Sequence, residues 1–286
     1  MSGPFLSVPV KTNLSNEEFQ REHVLAQQPV LIKGVLNDWN ALRWTPEYLK
    51  CKAGARKIRY RTQSGTVSAN FGEMIDLIFS SQGAGGAPVP YLRNVDLAAQ
   101  LPELLPDISP EPVYTRNNWR SNFLMLNHWP REVRKGLFEL FVSRTDASFP
   151  YLHIDYWGMS GFIAQLVGEK EVILFPRDDA ANLYPTAENR LVSEIKDFDN
   201  LDDPRYPKLK TARQYRVTIG SGDLLFNPAW WHTTQTTKTS MTLIWAYWNR
   251  HEWRHLVKEV RVRCGIKGLV LAPYCRFVGL CNRLTR

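Results

Sequence analysis

Ser221-Gly222-Asp223-Leu-Leu-Phe-Asn-Pro228-Ala-Trp230-Trp231-His232 reads as a turn, a short apolar strand and a histidine at its far end. It belongs to a series of short strand-like runs broken by turn residues: 137–143, 151–155, 162–167, 171–175, 214–219, 223–227 and 241–248. Many short strands with regular turn signals predict a β sandwich or barrel. The connection 176–213 is long, polar and rich in Asp and Pro, and loops of that length are often functional.

His153-Ile-Asp155 lies on one of these predicted strands. Side chains at i and i+2 of a strand share a face, so the imidazole and carboxylate are expected side by side. Alone, the tripeptide is equally well read as a hydrogen-bonded core pair. His232, at the end of another strand, makes two histidines and one carboxylate from a single barrel. Such a facial set suits non-haem Fe(II) and leaves positions open for a keto acid and dioxygen. The other histidines are weaker candidates. His23, His251 and His255 fall on helices where a solvated or dipole-adjacent role is expected, and His128 sits in a polar loop.

Upstream, Ser15-Asn-Glu-Glu18 is a capping box opening a helix to about residue 27. Residues 29–33 read as a buried strand, Thr45-Pro46 starts a second helix, 57–61 reads as a strand, and 71–79 has helical spacing. Gly83-Ala-Gly85-Gly86 neither follows a strand nor opens a helix, so it reads as a surface loop and not a dinucleotide site.

Phe162-Ile-Ala-Gln165-Leu-Val-Gly168-Glu-Lys170-Glu-Val-Ile-Leu-Phe175-Pro176, with Leu183-Tyr184-Pro185 and the block 222–232, resembles the cupin-like JmjC group of Fe(II)/2-oxoglutarate oxygenases. Residues 29–34 and Tyr91-Leu92 are similar to its N-terminal part, so the resemblance covers roughly residues 15–250. It implies a mostly β fold with flanking helices: a double-stranded β-helix (jelly-roll, cupin) core, N-terminal α/β elements and C-terminal helices. It implies iron held by His153, Asp155 and His232, with 2-oxoglutarate and O2 as co-substrates. Lys170 would pair with the distal carboxylate of 2-oxoglutarate, and Tyr91 would be a second contact. Trp157 is a candidate for the substrate mouth. Retention of Asp155 implies hydroxylation, since a Gly or Ala there would free a position for halide. The sequence departs from the family at 156–161 and at Ala246, where relatives often carry Asn that orients the co-substrate. A peptide or protein side chain is the expected substrate. A small-molecule hydroxylase and a non-catalytic metal-binding cupin are the alternatives.

The 286 residues carry 36 Lys and Arg against 28 Asp and Glu, a formal charge of +8. The excess is local, because residues 249–286 hold nine basic side chains and two Glu. The body, residues 1–250, is read as one oxygenase domain, and 251–286 as a basic helical segment. Trp253, Leu256, Val257, Val260 and Cys264 form one apolar stripe there, expected to pack in the core or in a homodimer. Apolar residues at 268–273 and 277–280 beside Arg276 and Arg283 suit a peripheral membrane contact. No base-reading motif accompanies the charge, so nucleic acid is not expected. Arg213 and Arg216 read as an exposed strand face, with contact to an acidic substrate as the alternative. Four cysteines without a C-x-x-C pair read as reduced thiols, and with no signal-like N-terminus a cytoplasmic protein is expected.

Overall fold

The computed structural model describes residues 5–80, 89–119, 124, 138–250 and 252–285. The loop at 83–86 and the expectations for His128, Leu137 and His251 fall outside them. The chain begins with β1 (Leu6–Ser7) and β2 (Val10–Lys11), then α1 (Asn16–Phe19) and β3 (Val30–Ile32). It continues through α2 (Pro46–Ala53), β4 (Lys57–Arg61), β5 (Thr66–Asn70) and α3 (Phe71–Phe79). Then come β6 (Leu92–Asp96), α4 (Leu97–Gln100), β7 (Glu139–Ser143) and the long β8 (Ser160–Phe175). The last elements are β9 (Tyr215–Gly220), β10 (Leu224–Asn227), β11 (Trp231–Tyr247), α5 (Trp253–Arg263) and α6 (Gly265–Thr285).

The N-terminal caps form as the sequence predicts. Ser15 and Glu18 close a reciprocal capping box, and Thr45 caps α2 with Pro46 at its first position. The first helix differs in its second half, where residues Gln20–Leu25 widen into a π-helical turn. That places His23 and Val24 in the core, so His23 is buried and not solvated, and burial lowers its pKa.

Among the described residues one nine-stranded sheet runs β2-β3-β10-β8-β11-β7-β6, with β9 on β8 and β1 on β9. It is the curled sheet of a jelly roll. The first half of β8 pairs with β10 and the second half with β9, while β11 runs antiparallel along its whole length. The two strands predicted at 162–167 and 171–175 are therefore one bent strand. Gly168 makes the bend, at φ +75°, where an added Cβ would lie 2.1 Å from the Thr239 carbonyl oxygen. β11 likewise begins ten residues before the expected 241. The polar stretch 233–240 carries no apolar alternation to announce a strand, yet it pairs with the second half of β8.

Phe162, fully buried, packs within 5.2–6.0 Å of the rings of Phe19, Phe226, Trp245 and Tyr247. Burying one such ring contributes about 2 kcal/mol, so this cluster ties the first helix to the barrel. The Gly-Asp turn is a second tie. Gly222 has φ +89°, and the Asp223 carboxylate accepts from the Gly220 N–H (2.8 Å) and from Lys33 Nζ (2.6 Å) at the end of β3. The connection 176–213 folds over the barrel through Leu183, Ile195, Phe198 and Leu209, which meet Phe175 and Trp231. α5 and α6 pack on each other and on Trp119 and Trp248 through Trp253, Leu256, Val260, Cys275 and Val278. The four cysteines are free thiols.

Candidate metal and co-substrate site

Residues 151–155 are not the strand the sequence suggested. Only His153 is paired, in single bridges to Val192 on one side and His232 on the other. The two histidines exchange both backbone hydrogen bonds, His153 N–H to His232 O at 3.0 Å and the reverse at 2.7 Å. Directly opposed residues project to the same face, so the rings meet, with centroids 4.3 Å apart. Asp155 follows at the start of a 3₁₀ turn, Tyr156–Gly158, which lets its carboxylate swing back between the rings. One carboxylate oxygen lies 3.7 Å from His153 Nε2 and the other 3.9 Å from His232 Nε2.

The ligand atoms of the three residues all lie within 4.8 Å of one another. Their electronic state suits a cation. His232 has its pKa pushed down to about 4, first by burial and then by His153, so its imidazole is neutral at pH 7. Burial would raise Asp155, but His232 and His153 outweigh it and hold the carboxylate below its ordinary value. Two histidines and one carboxylate are the donor set that holds Fe(II) with open positions.

Each ring is held from behind by different means. His232 Nδ1 lies 3.1 Å from the Trp230 carbonyl oxygen, a contact on the side of the ring away from Nε2, which faces the site. The Asn227 amide is 2.9 Å from the same Nδ1, and its Oδ1 accepts from the Trp230 N–H at 3.0 Å. Asn227 thus spans the Pro228-Ala229 corner, where Ala229 adopts φ +57°. His153 is held instead by a stacked Phe149 ring at 4.6 Å and 18°. Its Nδ1 is buried without a partner among the described residues.

Lys170 is only 2% exposed, on β8, where it faces Thr236 of β11 and Ile219 of β9. Its ammonium donates to the Tyr91 hydroxyl at 3.0 Å. Among the described residues it makes no ion pair. Lys170 and Tyr91 line the same cavity as His153, Asp155 and His232, about 80 Å³ in volume, with Ile163 and Ile244 among its apolar walls. A second cavity of about 180 Å³ shares the His153–Asp155 edge and opens between Arg61, Tyr151, Tyr156 and Met159. Ala246 lines this mouth, paired with Gly161 on β8. The side chain of Trp157 lies outside the described set.

All five residues expected to bind metal or keto acid therefore come together. Arg213 and Arg216 do not join them: Arg213 binds Asp178 and Asp179, and Arg216 binds Glu171 and Asp199. Asn227 and Phe149 were missed. The Asn-Pro step marks a turn in the sequence, but nothing local says that its amide reaches a histidine five residues on.

A bent jelly roll with a His/Asp/His set that could hold a metal ion and a buried lysine beside it is the architecture of a cupin. Residues 16–255 match the cupin-like domain family, and the chain belongs to that family. Among its relatives is tRNA wybutosine-synthesizing protein 5 of Danio rerio, 28% identical over 264 residues, which cover 89% of this chain and 77% of that protein. Jumonji C domain-containing protein 5 of Drosophila melanogaster is 27% identical over 248 residues, 82% of this chain and 57% of that protein. Lysine-specific demethylase 8 of Xenopus tropicalis is 24% identical over 246 residues, 82% of this chain and 51% of that protein. The chain spans about half the length of these last two. The protein thus has the scaffold of a JmjC-type Fe(II)/2-oxoglutarate oxygenase.

Proposed function

We propose that the protein is an Fe(II)- and 2-oxoglutarate-dependent hydroxylase acting on a C–H bond of a protein or peptide side chain. One oxygen atom of O2 enters the product and the other enters the succinate formed, with CO2, from 2-oxoglutarate. The observation that carries this reading is Lys170: a buried ammonium without a carboxylate partner among the described residues, in the cavity that holds the three candidate ligands. Burying an unpaired charge is costly, so the cavity calls for an anionic occupant.

His153, Asp155 and His232 would hold the iron, which supplies the redox chemistry that activates dioxygen. Lys170 and the Tyr91 hydroxyl bind the distal carboxylate of the keto acid and fix its orientation. Phe149, Ile163 and Ile244 exclude water from the reacting centre. The mouth beside Tyr156 and Met159 admits the substrate side chain at the His153–Asp155 edge. With Asp155 in place, hydroxylation, or demethylation through it, is the outcome.

A second substrate class, a side chain carried on tRNA, is favoured by one observation. Relatives named for wybutosine synthesis match over 77–81% of their own length, more than the JmjC proteins do.

Anaerobic addition of Fe(II) and 2-oxoglutarate is expected to give a visible charge-transfer band that His153→Ala loses. Succinate should then form on exposure to air. Bound metal with no succinate above background would instead mark a non-catalytic cupin. Mass spectrometry of candidate peptides and of tRNA digests for one added oxygen separates the two substrate classes.

A further inference from the structure

α6 is apolar on two opposite sides. At ~100° per residue, Gly268, Ala272, Cys275, Val278 and Asn282 share one face, and all are buried against α5 and its neighbours. Ile266, Leu269, Val270, Pro273, Phe277 and Leu280 share the other, and all are exposed, Ile266 to 88%, Val270 to 73% and Leu269 to 64%. A helix that is hydrophobic all round belongs inside a larger core or at a membrane. This outer stripe runs for about 15 residues, or ~22 Å of helix.

Charge decides what covers it. Lys267 flanks the stripe on one side, Arg276 and Arg283 on the other, and α6 holds no Asp or Glu. Alongside Arg276 and Arg283, α5 contributes Arg254, Lys258 and Arg261 to the rim of a groove of about 420 Å³, whose floor includes Trp253 and Val257. Of the two acids in this segment, Glu252 is buried. A second copy packed stripe on stripe would bring cations against cations with no carboxylate on α6 to answer them. Nucleic acid would answer the charge but leave Ile266, Leu269, Val270 and Phe277 in water. An anionic bilayer satisfies both, taking the stripe at the acyl boundary and the cations among its headgroups.

We propose that the outer face of α6 is a peripheral docking surface for anionic phospholipid membranes. The helix lies in the interface plane and does not span, since no described helix is long and apolar enough to cross a membrane. The surface lies outside the proposed oxygenase site and does not depend on that reading.

The test is flotation of the full-length protein with phosphatidylcholine vesicles, with and without phosphatidylserine at about one part in four. Binding is expected only to the anionic vesicles. Leu269→Glu with Val270→Glu, and separately Arg276→Glu with Arg283→Glu, should each lower it at least about tenfold. Both pairs are exposed, so the melting temperature should hold. Three results would overturn the proposal. One is no flotation of wild type. Another is flotation indifferent to the apolar pair. The third is a wild-type dimer by light scattering that the apolar pair dissociates while vesicle binding is absent. Retention of tRNA by the basic face without vesicle binding would likewise replace it with a nucleic-acid surface.

Discussion

Lys170 Nζ donates to the Tyr91 hydroxyl across 3.0 Å, joining a barrel strand to the segment that enters β6. The hydroxyl, having accepted this bond, still has its own proton to give. The pair therefore offers a carboxylate one charged and one neutral donor. Lys170→Met is expected to raise the KM for 2-oxoglutarate about 100-fold, from the loss of roughly 3 kcal/mol of charge-assisted bonding. Tyr91→Phe should cost about tenfold. Metal content measured beside the steady-state kinetics should be unchanged in both. A loss of metal would show that the lysine supports the triad and not the keto acid.

Asn227 reaches both the Trp230 N–H and His232 Nδ1. Removing a group that holds a ligand from behind commonly costs 10–100-fold in metal affinity. Asn227→Ala is expected to weaken Fe(II) or Co(II) binding by about that factor, while His232→Ala abolishes it. Competition against a chelator measures both. Unaltered affinity in Asn227→Ala would mean that the Trp230 carbonyl alone orients the ring.

Glu252 occupies the N-cap position of α5, and Ser160 at the start of β8 donates to its carboxyl. Its other carboxyl oxygen is buried without a partner among the described residues, and burial pushes its pKa from 4.5 up to about 7. The folded state therefore keeps a proton that the unfolded state releases, and stability falls as pH rises from about 4.5 to about 7. The size of the fall is about 3 kcal/mol. Glu252→Gln should remove it, so urea melts of the two proteins should diverge by that amount between about pH 4.5 and 8, with the variant the more stable at the higher pH. Parallel curves would show that the carboxyl is ionised in the folded protein.

Gly168 is the hinge of β8. Any side chain there meets the Thr239 carbonyl and must adopt φ +75°. Gly168→Ala is expected to lower stability by at least about 2 kcal/mol, read as a fall in melting temperature. An unchanged melting temperature would mean that β8 can bend elsewhere.

The strand series apart from 151–155, the Ser15 and Thr45 caps and the Gly222-Asp223 turn were legible because they depend on near neighbours: period-2 alternation, a side chain reaching three residues along, a glycine where φ is positive. The residues of the triad were legible too, through their types and the resemblance of the blocks around them. Their arrangement was not. His153 and Asp155 are neighbours in the site not because they alternate on a strand, but because His153 bridges to His232 and Asp155 turns back on a 3₁₀ corner. That pairing joins positions 79 residues apart in the chain.

The sequence by itself determined the chemistry available: two imidazoles, one carboxylate and one lysine among strands of a barrel, with the excess positive charge confined to the end of the chain. Tertiary structure alone decided what those groups face. It buried Lys170 with no carboxylate partner among the described residues and put Tyr91 beside it, set Asn227 behind His232, and drew Arg213 and Arg216 into ion pairs away from the site. It also showed that α6 spends one apolar face on α5 and leaves the other exposed. The physical reason is the same throughout. Periodicity and caps are set within a few residues. Burial, proton affinity and the partner of a charge are set by whatever the folded chain brings up against it.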